Sequence, residues 1–89
     1  MKSHTTLRFR QAFASLPDDV RRQAREAYQH FQDNPYHPGL RFKVVHPSKP
    51  IYSVRAGLGY RALAVRDNEE LIWFWIGSHA DYDKLLARL

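Results

Sequence analysis

The sequence predicts an α+β fold: an N-terminal helical hairpin packed on an antiparallel meander of about four strands, followed by a short C-terminal helix. Two segments with helical periodicity come first, alternating segments separated by turn signals follow, and residues 71–76 are all apolar. Because helices and strands occupy separate parts of the chain, we expect the helices to gather on one face of the sheet. A length of 89 residues indicates a single domain over 1–89.

The first helix is predicted from apolar spacing after a capping residue. Thr6 can cap a helix over 7–15, in which the apolar side chains recur at helical intervals. A rival interpretation is a brief strand over 5–9, where apolar and polar residues alternate, but we favour the helix. The short, polar segment 1–5 is expected to fray.

A second, longer helix is predicted after the Leu16–Pro17 joint. Proline suits a first helical position, and the two aspartates that follow favour the positive end of the helix dipole. An apolar stripe then recurs with helical period up to Phe31. We expect the helix to end near Asp33 and Asn34, because Pro35 disfavours helical geometry in the residue before it. The two helices would form a hairpin with one shared apolar face.

Four strands are predicted after a loop that contains two prolines and a glycine. The first is 40–45, where apolar and basic residues alternate cleanly. Strands over 51–56 and 60–66 are joined by a glycine-containing turn, and 71–76 completes the meander. The side chains of this last strand are expected to alternate between faces, with Leu71, Trp73 and Trp75 on one and Ile72, Phe74 and Ile76 on the other.

The junction after the last strand is where chemistry is most expected. Ser78 is a favourable N-cap residue with Asp81 three positions on, so a helix is predicted to begin there and to continue through 83–89. His79 and Tyr82 are three apart in its first turn and can share a face. An imidazole, which exchanges protons near neutral pH, therefore lies beside a phenol at the end of a buried strand.

The net charge of +5 is unevenly distributed. Between Leu40 and Arg66 the chain has basic residues and no acidic ones, which indicates a surface for a polyanion. The alternative is a merely solvated basic face. The basic residues of this block are Arg41, Lys43, Lys49, Arg55, Arg61 and Arg66, of which Arg41, Lys43, Lys49 and Arg66 are the expected RNA contacts if the polyanion is RNA.

Several kinds of site are not indicated. Cysteine is absent, and the five histidines are scattered without the spacing of metal ligands, so neither disulfides nor a metal centre are expected. The sequence contains no glycine-rich phosphate loop or nucleophile elbow, and we expect no cofactor. No segment resembles a signal peptide or reaches membrane-spanning length, so the expected location is the cytoplasm.

These features together resemble the RelE/ParE superfamily of type II toxin–antitoxin toxins. The hairpin, the meander, Gly59-Tyr60-Arg61 in the third strand and the closing segment Ile76 to Asp83 carry the resemblance, which extends from about Phe9 to Leu86. The closing Ile-Gly-Ser-His-Ala-Asp-Tyr-Asp is similar to the HigB-type pattern Ile-Gly-Thr-His-x-x-Tyr-Asp. The chain departs from the family in an N-terminal strand that is missing or reduced, a longer turn before Gly59, and the lack of paired lysines.

The resemblance implies a toxin held in a hetero-oligomer by an antitoxin encoded beside it. In the RNA-cleaving branch it implies a metal-free endoribonuclease that cuts mRNA on the ribosome, where a ribose 2′-hydroxyl attacks the neighbouring phosphate. By motif position, it implies catalytic roles for Arg55, Arg61, His79 and Tyr82.

The sequence is compatible with several alternatives. The function could instead be that of a ParE-type inhibitor of DNA gyrase without nuclease activity, or of a degenerate, non-toxic binding module. Arg61 could form a structural ion pair with Glu70 or Asp81 rather than contact phosphate. Tyr82 could belong to the core or stack on a base, and the two tryptophans are interpreted as core residues rather than an RNA platform.

Overall fold

A computed structural model describes residues 2–89 and confirms the α+β class. Its elements are β1 (Lys2–Thr5), α1 (Leu7–Ala14), α2 (Asp18–Asp33), a one-turn 3-10 helix (Pro38–Leu40), β2 (Lys43–Val44), β3 (Ile51–Gly57), β4 (Tyr60–Asp67), β5 (Glu70–Ser78) and α3 (His79–Leu86). The strands form one sheet in the order β1-β5-β4-β3-β2. Within residues 2–89, no helix combines the length and apolarity that crossing a membrane requires.

The sheet has one strand more than the sequence predicted. β1 runs parallel to β5, with Thr5 opposite Trp73, whereas the other neighbouring strands are antiparallel. The expected fraying is therefore wrong for residues 2–5, and residue 1 lies outside the described residues. A short polar segment carries no periodic apolar signal, and here its backbone is ordered by hydrogen bonding to the edge of β5. The N-terminal strand, which the resemblance led us to expect as missing or reduced, is thus present with four residues.

The helical hairpin forms as predicted. Thr6 caps α1, because its side-chain oxygen accepts the backbone N–H of Phe9 at 3.1 Å, and the rival strand over 5–9 is not formed. α2 begins at Asp18, with Pro17 as the residue before the first turn, and ends at Asp33. The start of α1 and both ends of α2 therefore follow from local capping and proline signals.

The predicted strand over 40–45 is much shorter than expected. Leu40 ends the 3-10 helix as a buried residue, and Arg41 adopts a left-handed conformation with φ of 50°. Only Lys43–Val44 pairs with β3. A left-handed residue turns the chain away from an extended path, so the alternating pattern before it does not continue as a strand.

The helices do not all lie on one face of the sheet, which corrects the prediction. α1 and α2 cover the face that includes Ala62 and Ala64, whereas α3 covers the opposite face by packing Tyr82 and Leu86 near Leu63. We call these the hairpin face and the α3 face. Because the hairpin already occupies one side of the sheet, the apolar stripe of α3 is buried on the other side.

α3 begins where the sequence placed it and ends sooner. The Ser78 hydroxyl oxygen accepts the backbone N–H of Asp81 at 3.2 Å, so the predicted N-cap is formed. The helix ends at Leu86 rather than continuing through 83–89. The cap is a local interaction between neighbours in the chain, which is why the sequence was sufficient to predict it.

A β-bulge in β5 reverses the predicted alternation in the second half of that strand. Two consecutive residues of β4 lie opposite Trp75 and Trp73, so Phe74 is the additional residue. Phe74 and Trp75 consequently both pack on the α3 face, and Ile76 joins Trp73 on the hairpin face. The predicted faces of Trp75 and Ile76 are therefore wrong, because the additional residue of a bulge interrupts the regular alternation of side chains between the two faces of a strand.

Candidate functional site

Two of the predicted catalytic residues meet at the end of β3 and β4 that lies nearest α3. Arg55 and Arg61 are directly opposite each other in the two strands, so both lie on the α3 face. The alternative ion pair of Arg61 with Glu70 or Asp81 is not formed. Among residues 2–89, neither arginine has a carboxylate within ion-pair distance. Like charges directly opposite in a sheet are destabilising, so this pair is not explained by fold stability.

The guanidinium group of Arg61 is half-buried in a mainly positive environment. Burial lowers the pKa of Arg61, as do the charges of Arg55 and Arg41, whereas Tyr82 and Asp83 act in the opposite direction without cancelling the effect. Arg41, predicted as an RNA contact, thus lies close to the predicted catalytic residues. We call Arg41, Arg55 and Arg61 the arginine cluster, and its positive charge is chemically suited to an anion.

α3 places His79 next to the arginine cluster. In β5, Gly77 lies opposite Arg61, and the backbone N–H of His79 donates to the Gly59 carbonyl at 2.8 Å. The imidazole Nε2 of His79 lies 3.5 Å from a carboxylate oxygen of Asp83, and both side chains are exposed. The strand register and the helix cap together bring the His79 imidazole to the edge of the arginine cluster.

Tyr82 lies beneath His79 and is only 6% exposed. Its ring centroid is 5.7 Å from that of His79 and 6.5 Å from that of Trp75. The phenol donates to the hydroxyl oxygen of Ser53, itself 2% exposed, at 3.1 Å. Tyr82 therefore has the contacts of a core residue that supports the first turn of α3, and its buried ring has no free face for stacking on a base.

Two of the predicted RNA contacts differ in their relation to this site. Lys43 is opposite Ser53 in the sheet and so lies on the α3 face. Ser53 precedes Arg55 by two residues in β3, so Lys43 and Arg55 are near each other on that face. Lys49 precedes Pro50 in the loop between β2 and β3, at the other end of β3 from Arg55. Lys43 can extend the arginine cluster along the sheet, whereas Lys49 is remote from it.

Arg66 is also remote from the arginine cluster. It lies five residues after Arg61 in β4, roughly 17 Å along the strand, and it is opposite Leu71 on the hairpin face. Its guanidinium carbon is 5.7 Å from the centroid of the Tyr52 ring, and hydrogen bonding to Tyr52 raises the pKa of Arg66. The basic block of the sequence is thus divided between two ends and two faces of the sheet.

Two residues beside the site were not predicted from the sequence. Asp83 follows His79 by four positions, and this helical spacing was an available signal for their contact. Ser53 gave no comparable signal, because its contact with Tyr82 joins residues 29 positions apart. Within residues 2–89, the structure contains no grouping of three or more histidine, cysteine, aspartate or glutamate side chains arranged to hold a metal ion.

Comparison with known proteins identifies the family. The model of the ParE-like toxin domain family matches residues 18–84. No curated protein is a significant sequence match. Similar solved structures include a chain of the RelB-RelE antitoxin-toxin complex from Methanococcus jannaschii, with 13% identity, a TM-score of 0.72, and coverage of 92% of this chain and 96% of that chain.

Two further structures share the fold at similarly low identity. The isolated E. coli RelE toxin is 16% identical with a TM-score of 0.62, and the match covers 98% of this chain and 96% of that chain. The YoeB/ParE toxin from Agrobacterium tumefaciens is 12% identical with a TM-score of 0.66, covering 89% of this chain and 99% of that chain. The chain therefore belongs to the ParE-like toxin domain family, and it shares its fold with these toxins.

Proposed function

We propose that this toxin is a metal-independent endoribonuclease that cuts mRNA on the ribosome and so inhibits translation. The observation that carries the proposal is the arginine cluster beside His79. Guanidinium groups without carboxylate partners are suited to an RNA phosphate, and an imidazole at their edge can transfer a proton. Binding to a protein target alone would require the charge but not the adjacent proton-transfer group.

In the proposed reaction, a ribose 2′-oxygen bonds to the adjacent phosphorus and the bond from phosphorus to the 5′-oxygen breaks. The products are a 2′,3′-cyclic phosphate and a free 5′-hydroxyl. A base removes the 2′-hydroxyl proton, and an acid protonates the leaving oxygen. His79 performs one of these transfers, and Asp83 positions its ring. Arg61 and Arg55 stabilise the negative charge that develops on the phosphate oxygens.

The electrostatics of Arg61 support a role in binding an anion. Its lowered pKa means that the surroundings disfavour the charged guanidinium. A bound phosphate would reverse this by placing negative charge among the three guanidinium groups. The unfavourable charge arrangement in the free protein is therefore expected to become favourable when RNA is bound.

We further propose that an antitoxin encoded beside the toxin binds it in a cytoplasmic hetero-oligomer. The net charge of +5 favours a partner segment that carries acidic residues. The similar M. jannaschii structure is itself an antitoxin-toxin complex. Co-purification with the product of an adjacent small reading frame is the expected result. An isolated gene that is harmless on overexpression would contradict the proposal.

A second candidate function is ParE-type inhibition of DNA gyrase without nuclease chemistry. The observation that favours it is the match of residues 18–84 to the family model named for ParE. Brief induction in cells, with protein synthesis and DNA integrity followed together, separates the candidates. A halt in translation with cut mRNA supports the nuclease, and a DNA-damage response without mRNA cleavage supports gyrase inhibition. Neither response would indicate a non-toxic binding module.

A further inference from the structure

A groove of about 270 Å³ lies next to the arginine cluster, between the C-terminal half of α2 and the turn that joins β3 to β4. Glu26 and His30 of α2 line one side, and His37, Arg55 and Leu58 contribute to the remainder. Arg55 belongs both to this groove and to the arginine cluster. A nucleic acid whose phosphate contacts the cluster would therefore have its neighbouring nucleotide beside the groove.

Two imidazole rings form part of the groove wall. His30 and His37 are exposed, and their rings are stacked with centroids 5.0 Å apart and 28° between the planes. Nδ1 of His37 accepts the backbone N–H of Gly39 at 3.3 Å, which restricts the orientation of that ring. Exposed aromatic rings beside a phosphate-binding group are a common means of binding unpaired RNA bases.

The polar groups of the groove favour a base with several hydrogen-bond donors. Glu26 lies four residues before His30 on the same side of α2, and its carboxylate has no ion pair among residues 2–89. The Oε1 of Gln23 is already used, because it accepts the backbone N–H of Leu58 at 2.9 Å. An ionised carboxylate only accepts hydrogen bonds, and guanine presents two adjacent donors, N1–H and the N2 amino group.

We propose that this groove is a subsite for an unpaired guanine base next to the cleaved phosphate. The base stacks on the His30–His37 ring pair, Glu26 accepts hydrogen bonds from N1–H and the N2 amino group, and Arg55 contacts the flanking phosphate. The groove is smaller than the ~300–1,000 Å³ typical of drug-sized pockets, which suits a single base. The subsite rests on the proposed RNA cleavage, for which it would set the sequence preference.

The binding of 5′-mononucleotides tests this subsite without ribosomes or cleavage. The purified chain is titrated separately with GMP, AMP, CMP and UMP while backbone amide and imidazole NMR signals are followed. We expect GMP to shift the signals of His30, His37, Gly57 and Leu58, and to bind about tenfold more tightly than the other nucleotides, because a bidentate contact discriminates bases on this scale. Equal affinities for all four, or shifts confined to other regions, would overturn the proposal.

Variants identify which groups are responsible. Glu26→Gln is expected to remove the preference for GMP. Because Glu26 is exposed, α2 should stay folded in this variant, and the backbone amide signals of α2 check this. His37→Ala is expected to weaken all four nucleotides. Glu69→Gln, which changes a carboxylate in the turn between β4 and β5, is the matched control and should leave the preference intact. An unchanged GMP preference in Glu26→Gln would contradict the assigned role.

Failure of the subsite can be told apart from failure of the nuclease. If induction cuts no mRNA but GMP still binds selectively in the groove, the subsite is supported and the proposed reaction is wrong. If inorganic phosphate causes the same shifts as GMP, only anion binding by Arg55 remains and the subsite is overturned. The subsite is equally overturned if the antitoxin shifts these signals and no nucleotide does.

Discussion

The two faces of β4 differ in the size, charge and burial of their side chains. On the hairpin face, Ala62 and Ala64 are small and buried, which allows α1 and α2 to approach the sheet closely. On the α3 face, Leu63 is 0% exposed, while Arg61, two residues earlier, is only half-buried and faces Arg55. The hairpin face of β4 is therefore occupied by packing contacts. The α3 face is packed at Leu63 and carries a charged site at Arg61, which α3 does not fully bury.

The comparison shows where the fold tolerates unfavourable interactions. The hairpin face contains mutually packed aromatic rings, with Phe31 at 5.1 Å from Phe42 and 5.6 Å from Trp73 between ring centroids. Such contacts stabilise the domain. The arginine cluster on the other face opposes folding slightly, as expected for the anion-binding site that we propose. Substitutions on the two faces should consequently separate stability from activity.

The largest effect is expected from His79→Ala on the α3 face. Loss of an acid–base group should lower the rate of mRNA cleavage by about 10²–10⁴-fold. Folding and antitoxin binding should be retained, because the His79 side chain is exposed. Cleavage on programmed ribosomes and growth arrest on induction are the measurements. The control is His4→Ala, an exposed histidine on β1. Full toxicity of both His79→Ala and Arg61→Ala would contradict the nuclease and favour gyrase inhibition.

The matching change on the hairpin face is Phe31→Ala. Phe31 is 3% exposed, and its loss should lower the free energy of unfolding by about 3–5 kcal/mol. This is a large part of the roughly 5–15 kcal/mol typical of a domain. Urea unfolding followed by tryptophan fluorescence measures it. Leu58→Ala, at an exposed position, should change stability little. A loss below about 1 kcal/mol for Phe31→Ala would show that this core is not closely packed.

Arg61→Ala tests whether charge position or total charge matters. Removal of one stabilising donor should slow cleavage by about 10²–10³-fold without loss of folding. Arg66→Ala is the matched control, since it removes the same charge from the same strand on the hairpin face. It should weaken ribosome or RNA binding at most modestly and in a salt-dependent manner. Equal loss of toxicity from both variants would indicate a general electrostatic surface instead of a defined site.

The smallest expected effect is a gain in stability from Arg55→Gln. Removing one of two like charges directly opposite in the sheet should raise the free energy of unfolding by about 0.2–1 kcal/mol, and less at high salt. Burial and the charge of Arg55 disfavour the charged form of Arg61 and so lower its pKa, and arginine stays charged over the neutral range, so the gain should persist from about pH 5 to pH 9. Denaturant titrations at several pH values measure it. A loss of stability would show that Arg55 is structural.

The sequence by itself determined the helical hairpin, the order of β3, β4 and β5, and the start of α3. Each depends on neighbours in the chain: the Thr6 and Ser78 caps, the proline near the start of α2, and the turns between strands. His79 and Arg61 were also named from the sequence, through motif positions and the resemblance to RelE/ParE toxins. Local chemistry was sufficient for the helices and turns, whereas the roles of His79 and Arg61 stay predictions.

Only the tertiary structure decided how these parts meet. β1 is ordered by the edge of β5, the bulge at Phe74 sets the register of that strand, and α3 packs on the face that the hairpin leaves uncovered. The same contacts separate Arg66 from the arginine cluster and bury Tyr82 against Ser53. These outcomes depend on pairing and burial between distant parts of the chain, which local propensities and spacing do not specify.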